Sequence, residues 1–169
     1  ERGAPIRAFK KERVETMLMI EDFMLLANRE VATHIYNLSK DKGRELAFVY
    51  RIHDTPDPDR VEELGMFLRA IGYEFETHKG IVKATEINKL LKEVAGKPEE
   101  NLIKTASIRT MAKAVYSTKN IGHFGLAFKF YTHFTSPIRR YPDLMSHRML
   151  RKHLDGTMIG PKELAEYER

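Results

Sequence analysis

Residues 123–148, HFGLAFKFYTHFTSPIRRYPDLMSHR, constrain the fold of this chain more than any other stretch. Aromatic residues come first, followed by Ser136 and Pro137 and then by two arginines, Arg139 and Arg140. A serine caps the free N–H groups of a helix, and a proline lacks the N–H group that a first turn leaves unpaired. This order predicts a helix that begins at Ser136 and carries both arginines in its first turn.

The predicted helix start is suited to binding an anion. A helix N-terminus gathers unpaired N–H groups and a partial positive charge, and two guanidinium groups add a preference for phosphate or carboxylate. A solvated basic helix start is the alternative for an arginine pair taken alone. The four-residue spacing of Arg139, Asp143 and His147 predicts one helical row in which Asp143 orients Arg139. Pro142 predicts a kink after the first turn.

Residues 124–134 interleave phenylalanine, tyrosine and leucine with Lys129 and His133, which predicts an aromatic strand. Rings that stack on bases and cations that bind phosphates are typical of single-stranded nucleic-acid sites. Aromatic strands are also typical of a hydrophobic core, so both interpretations stay open on these residues alone. The net charge of +5 is compatible with a polyanionic partner.

A long amphipathic helix is predicted over residues 11–38, where apolar residues recur at three- and four-residue spacing. Glu21 and Asn28 fall on the apolar stripe, although a carboxylate or an amide facing a core is costly unless it is paired or bound. Either a satisfied buried polar pair or a helix face that meets a cleft explains them. We favour a functional role for Glu21.

The remaining pattern predicts a mixed α/β fold (α+β) in which a sheet is flanked by helices. Helices are predicted over residues 60–71, 85–95 and 98–113, and strands over residues 5–10, 46–53, 73–77 and 114–117. The loop 54–59 contains two prolines, and we expect it to end a strand and to cap the helix that follows.

Composition restricts the class of protein. Cysteine is absent, which excludes disulfides and thiolate metal sites and indicates a reducing compartment, so we expect a cytoplasmic protein. No apolar run is long enough to cross a bilayer and no signal-peptide pattern is present, so no membrane partner is expected. The chain does not begin with methionine and closes in a helical pattern without a stop, so we expect a fragment of a longer polypeptide.

SPIRRYPDL, within residues 123–148, and IEDFMLLANREVA, at residues 20–32, resemble the RNB catalytic domain of the ribonuclease II and ribonuclease R family. The resemblance extends over residues 5–154, and the form HFTSPIRRYPDL is closer to the bacterial ribonuclease R branch. It implies a processive 3′→5′ exoribonuclease that uses Mg²⁺ and releases nucleoside 5′-monophosphates from single-stranded RNA. A metal-activated water is expected to attack the terminal phosphodiester.

The resemblance also implies roles for individual residues. Arg139 matches the arginine that acts at the scissile phosphate. Glu21 matches the glutamate that contacts the ribose near the 3′ end and helps to distinguish RNA from DNA. We therefore expect Arg139 to face Glu21 across a groove. Further residues are expected to line the RNA channel or to support Arg139: His123, Tyr131, Thr135, Ser136 and Arg140.

The metal ligands of that family are clustered aspartates that precede these segments. Asp54, Asp57 and Asp59 lie in the proline-broken loop and do not match the cluster, so no metal ligand is expected in this chain. We expect residues 1–169 to be the later part of one RNB catalytic domain, with the metal ligands and the RNA-binding domains elsewhere in the polypeptide, and to be inactive alone. A non-catalytic RNA-binding or scaffold module is the alternative, and a purely structural basic domain is a third.

Overall fold

A computed structural model describes residues 6, 7, 12, 14–157, 159, 163 and 166 of the chain. These residues form five α-helices and one antiparallel ribbon of two short strands, so the predicted mixed α/β class is confirmed. In chain order the elements are α1 (Glu15–Asp41), β1 (Tyr50–Ile52), α2 (Pro58–Ala70), α3 (Ala84–Glu93), α4 (Glu100–Thr110), β2 (Val115–Ser117) and α5 (Tyr141–Leu154). None of the helices in this part of the chain is long and apolar enough to span a bilayer.

The first of two hydrophobic cores packs α2, α3 and α4 together. Val61, Leu68 and Ile103 are fully buried in it. The loop before α2 acts as predicted, because the carboxylate of Asp57 accepts hydrogen bonds from two N–H groups of the first turn at 3.0 and 3.3 Å. The three middle helices agree with the sequence-based prediction to within a few residues at each end.

The second core joins the C-terminal half of α1 to β1 and α5. Ile35 of α1, Phe48 before β1 and Met149 of α5 are fully buried there. The N-terminal half of α1 differs, because its apolar side chains are exposed; they are Met17, Leu18, Met19, Ile20, Phe23, Met24 and Leu26. Glu21 lies in this half and is also exposed, so its carboxylate does not face a core in the described structure.

Two predicted strands are not formed in the described residues. Tyr73 and Phe75 are buried and their neighbours exposed, as the alternation predicts, but no strand pairs with residues 73–77. The aromatic stretch 124–134 is not a strand either, because it opens with a short 3-10 turn and Ala127 then adopts a left-handed conformation with a φ of 55°. The prediction over residues 46–53 is confirmed only at β1, and that over 114–117 is confirmed as β2. The strand predicted at residues 5–10 lies mostly outside the described residues.

Candidate functional site

The turn from Ser136 to Arg140 precedes α5 and does not form its first turn. The N–H groups of Arg139 and Arg140 donate to the carbonyl oxygen of Ser136 at 3.3 and 3.1 Å, and the helix begins only at Tyr141. The predicted helix start at Ser136 is therefore too early. Pro142 lies at the beginning of α5, where its missing N–H group is not needed, so it opens the helix and does not kink it.

A buried carboxylate holds this turn together. Oδ2 of Asp143 accepts hydrogen bonds from the N–H group of Ser136 at 2.8 Å and from Nη2 and Nε of Arg140 at 2.9 and 3.2 Å. The side chain of Asp143 is fully buried, and its other oxygen, Oδ1, has no hydrogen-bond partner in the described part of the chain. The predicted pairing of Asp143 with Arg139 is wrong, because the turn brings Arg140 to the carboxylate.

The two adjacent arginines consequently differ in their surroundings. The side chain of Arg140 is largely buried, and its charge is offset by Asp143. Arg139 is exposed and forms no ion pair with a described residue, and the side chain of Ile138 beside it is fully exposed. Arg140 therefore anchors the turn, whereas the guanidinium group of Arg139 is available to an anion.

His147 stabilises the segment before the turn and does not join a row with Arg139. Its Nε2 lies 2.8 Å from the carbonyl oxygen of Phe134, and the two rings stack with their centroids 3.8 Å apart. A carbonyl oxygen only accepts, so Nε2 of His147 carries a proton and donates it. The stacked rings and this hydrogen bond tie α5 to the chain that leads into the turn.

Asn28 links the same segment to α1. Its Oδ1 accepts a hydrogen bond from the N–H group of Phe134 at 2.9 Å, and its Nδ2 donates to the hydroxyl of Tyr131 at 3.2 Å. The side chain is buried, so the amide on the apolar stripe is a satisfied buried polar group. Thr132 adds a further link by donating to the carbonyl oxygen of Val49 at 2.7 Å. Residues 131–134 are thus fixed against α1 and the chain before β1.

His123 and Tyr131 belong to a cluster of aromatic rings beside this segment. The ring centroid of His123 lies 5.3 Å from that of Tyr131 and 5.0 Å from that of His53. Burial, together with the charge of His53, lowers the pKa of His123 to about 4, so the imidazole is neutral at pH 7. The N–H group of Gly125 donates to Nδ1 of His53 at 2.9 Å. A Cβ atom at Gly125 would lie only 2.8 Å from that nitrogen, which explains the glycine.

Three residues that sequence reasoning did not select as site residues lie near the turn. The hydroxyl of Tyr116 lies 2.7 Å from Nδ1 of His133, and the guanidinium carbon of Arg51 lies 4.6 Å from the centre of the Tyr116 ring. Burial lowers the pKa of His133 to about 4, and nearby arginine charges act in the same direction. The pairing of Arg51 with Tyr116 across the ribbon brings them together, and that register is not visible in the sequence.

The contacts above bring most of the predicted site residues into one region. Thr135 and Ser136 lie partly buried at the start of the turn, and Tyr131 is buried behind it. Glu21 lies on α1 seven residues before Asn28, which is about 10 Å along the helix axis. That Glu21 faces Arg139 across a groove stays a prediction.

Candidate metal ligands are not clustered in the part of the chain that the structure describes. No group of three histidine, aspartate or glutamate side chains among them lies close enough together to hold an ion. In the loop before α2, the carboxylate of Asp54 accepts a hydrogen bond from the N–H group of Thr55 at 2.7 Å, and Asp57 caps the helix.

Comparison with protein families matches the RNB domain over residues 1–156. Ribonuclease R of Aquifex aeolicus is 40% identical over 168 residues, which cover 99% of this chain and 23% of that protein. Ribonuclease R 1 of Lactococcus lactis is 42% identical over 156 residues, which cover 92% of this chain and 18% of that protein. The chain therefore spans about a fifth of the length of these relatives.

Solved structures agree with this relationship. The apo form of Mycoplasma genitalium RNase R superposes with a TM-score of 0.76 at 31% identity, over 92% of this chain and 24% of that one. The same protein in complex with ribose-methylated single-stranded RNA gives a TM-score of 0.72 at 32% identity, over 89% of this chain and 23% of that one. Yeast Ssd1, a pseudonuclease, superposes with a TM-score of 0.75 at 26% identity, over 91% of this chain and 19% of that one.

Proposed function

Because this chain belongs to the RNB domain family, we propose that it is the part of a 3′→5′ exoribonuclease that receives the 3′ end of single-stranded RNA. The intact protein acts processively and releases nucleoside 5′-monophosphates. The observation that carries the proposal is the turn before α5, where Arg140 is partly buried and paired with Asp143 while Arg139 is exposed and unpaired among the described residues. The RNA complex of the Mycoplasma genitalium relative supports RNA as the ligand.

Arg139 is the residue that we propose acts at the scissile phosphate. In hydrolysis the oxygen of water bonds to phosphorus, the bond from phosphorus to the preceding 3′ oxygen breaks, and that oxygen takes up a proton. Negative charge develops on the phosphate oxygens during this step. A forked guanidinium donates to two of these oxygens and stays charged at every relevant pH. The hydrogen bonds of Asp143 keep the turn in place, so Arg139 needs little rearrangement to reach the phosphate.

The other site residues are proposed to guide or support the strand. His123, Thr135 and Ser136 are only partly buried and are proposed to line the channel. Tyr131 is buried and is proposed to support the segment before the turn through Asn28. For Glu21 we propose a hydrogen bond from a ribose 2′-hydroxyl, which DNA lacks.

Magnesium dependence is proposed for the intact protein only, with ligands outside this chain, because the aspartate cluster of the family has no match in this sequence. The remaining domains of the same polypeptide are therefore proposed partners, together with single-stranded RNA. The chain alone is proposed to be inactive. The cytoplasm is the proposed location, since the cysteine-free sequence suits a reducing compartment.

A non-catalytic RNA-binding or scaffold module is the second candidate. The likeness to Ssd1, a pseudonuclease that gives a TM-score of 0.75, favours it. An RNB-type chain that binds RNA without cleaving it retains phosphate contacts but needs no metal ligands. An aspartate cluster in the polypeptide before this chain favours the enzyme.

Nucleotide release from uniformly labelled single-stranded RNA distinguishes the candidates. The full-length protein with Mg²⁺ is expected to release nucleoside 5′-monophosphates, and residues 1–169 alone are expected to release none. Binding without release by the full-length protein supports the non-catalytic module. Robust release by residues 1–169 alone contradicts the proposed division of the site.

Glu21→Ala tests the proposed ribose contact, with Asp22→Ala on the same exposed half of α1 as the control. We expect Glu21→Ala to reduce the preference for RNA over DNA by about tenfold, which corresponds to one hydrogen bond to a charged group. Competition between RNA and DNA strands of equal sequence measures the preference. An unchanged preference shows that Glu21 has only a structural role.

A further inference from the structure

The β1–β2 ribbon carries a cation that the proposed reaction does not use. Arg51 lies opposite Tyr116, and its guanidinium group packs over the Tyr116 ring at 4.6 Å. Tyr50 and Ile52, its neighbours on β1, are buried in the second core, so Arg51 points away from that core. Arg51 forms no ion pair with any residue that the structure describes.

His133 joins this cation to the turn before α5. The Tyr116 hydroxyl lies 2.7 Å from Nδ1 of His133, which lies three residues before the turn that begins at Ser136. The charges of Arg51, Arg139 and Arg140 all act on the His133 ring. Only one of these arginines, Arg140, is neutralised by a carboxylate of the described residues. Arg51 and Arg139, which form no ion pair with a described residue, therefore both lie near enough to His133 for their charges to act on its ring.

We propose that Arg51, held by Tyr116, binds the backbone phosphate next to the scissile phosphate and so forms a second phosphate subsite. This inference rests on the proposed function, because it takes RNA as the ligand. Two neighbouring guanidinium groups, such as those of Arg51 and Arg139, repel each other unless anions neutralise them. Two successive phosphates of an RNA backbone supply one negative charge for each guanidinium group. The forked guanidinium donates to two phosphate oxygens, and the ring beneath it restricts its rotamers before RNA binds.

The subsite is tested in the full-length protein with Arg51→Gln and Arg51→Lys, and Arg69→Gln is the matched control. Arg69 is an exposed arginine in the last turn of α2, the helix that packs in the first core. Arg69→Gln therefore changes the net charge by the same amount as Arg51→Gln. Binding is measured in EDTA with single-stranded RNA over a range of salt concentrations, after thermal unfolding has shown that each variant is folded. We expect Arg51→Gln to weaken binding about tenfold and to lower the salt slope by about 0.7, the value for one phosphate on a single strand. Arg51→Lys is expected to keep the wild-type salt slope, because the charge is retained. Arg69→Gln is expected to change neither the RNA affinity nor the salt slope.

A second measurement locates the contact on the RNA. Each RNA carries one uncharged methylphosphonate linkage, moved stepwise from the 3′ end. The linkage next to the terminal one is expected to weaken binding to the wild type and to Arg69→Gln, but to have no further effect on Arg51→Gln. Arg51→Lys retains a reduced penalty there, so the test stands if Arg51→Gln fails to fold.

The subsite is overturned if Arg51→Gln and Arg69→Gln show the same RNA affinity, the same salt slope and the same response to the methylphosphonate linkage. It is also overturned if that linkage weakens RNA binding to Arg51→Gln as much as it weakens binding to the wild type. If the wild type still binds and degrades RNA in that case, the proposed function is unaffected. A wild-type protein that does not bind RNA overturns the proposed function and the subsite with it.

Discussion

The half of the molecule built by α2, α3 and α4 is held together mainly by apolar side chains. The half that presents Arg139 has an apolar core as well, but buried polar side chains add hydrogen bonds between its segments. Leu68 and Ile103 are representative of the first half. In the second half, Asn28, Thr132 and Asp143 are buried and hydrogen-bonded to chain segments that are distant in sequence or in another element.

The difference follows from what each kind of interaction specifies. Apolar packing is largely non-directional and tolerates substitutions that conserve volume. Hydrogen bonds in a buried setting fix direction and distance, and a buried donor without a partner is costly. A turn that presents one guanidinium group to a phosphate must be held in a fixed orientation. The buried hydrogen bonds of residues 131–143 hold it in this way.

The largest effect is expected for Asp143→Ala compared with Leu68→Ala. Asp143→Ala leaves the guanidinium of Arg140 and the N–H group of Ser136 without their buried partner, which costs about 3–5 kcal/mol of unfolding free energy. Leu68→Ala leaves a cavity in the first core and costs about 2–5 kcal/mol. Urea unfolding measures both losses.

The two variants should differ in function although both are destabilised. Per folded molecule, the full-length Leu68→Ala protein is expected to hydrolyse RNA at the wild-type rate, because Leu68 packs in the first core whereas Asp143 of α5 holds the turn. Asp143→Ala is expected to lose most of the rate. Equal rates for the two variants would show that the turn does not depend on its buried carboxylate.

An intermediate effect is expected for Asn28→Ala, with Asn88→Ala as the control. Asn28→Ala leaves the N–H group of Phe134 unpaired and costs about 1–3 kcal/mol of unfolding free energy. Asn88 is exposed on α3, so its replacement should change that free energy by less than about 0.5 kcal/mol. Thermal or urea unfolding of both variants provides the measurement. If Asn28→Ala lowers the free energy of unfolding no more than Asn88→Ala does, then α1 does not anchor residues 131–134.

The smallest effect is expected from pH. The pKa of His123 and that of His133 are each lowered to about 4, mainly by burial, while the unfolded chain binds these protons near pH 6.5. The unfolded state therefore binds more protons between pH 6.5 and 4, and the stability of the fold decreases as pH falls through this range. The urea midpoint should decrease from pH 6.5 to 5, above the main range of carboxylate titration.

Replacement of these histidines identifies the source of the pH effect. His123→Gln and His133→Gln should each flatten the dependence, because the titrating group is removed. His34→Gln, an exposed residue of α1, should leave it unchanged. An identical slope in all three variants would assign the effect to other groups.

Sequence reasoning predicted the first half of the molecule better than the second. The apolar periodicity of α2 and the cap at Asp57 are local signals, and both are confirmed. The strand predicted over residues 124–134 is wrong, because that stretch follows turns and long-range hydrogen bonds that local alternation does not encode.

The same limit applies to the candidate site. The arginine pair is visible in the sequence, but its division into an anchored Arg140 and an exposed Arg139 depends on where α5 begins. Pro142 is compatible with a helix start or a kink, so only the three-dimensional structure distinguishes them. Arg51 and Tyr116 meet through a strand register that neither segment specifies alone.

The central claim is that the turn presents Arg139 to a phosphate undergoing attack, and single-turnover hydrolysis by full-length Arg139→Ala tests it most directly. At saturating single-stranded RNA, the rate is expected to fall by about 10²–10³-fold, because a donor to the developing charge is lost. RNA affinity, to which many phosphate contacts contribute, is expected to fall by less than about tenfold. A rate that stays within a few-fold of the wild type, or a loss seen only in affinity, would contradict the claim.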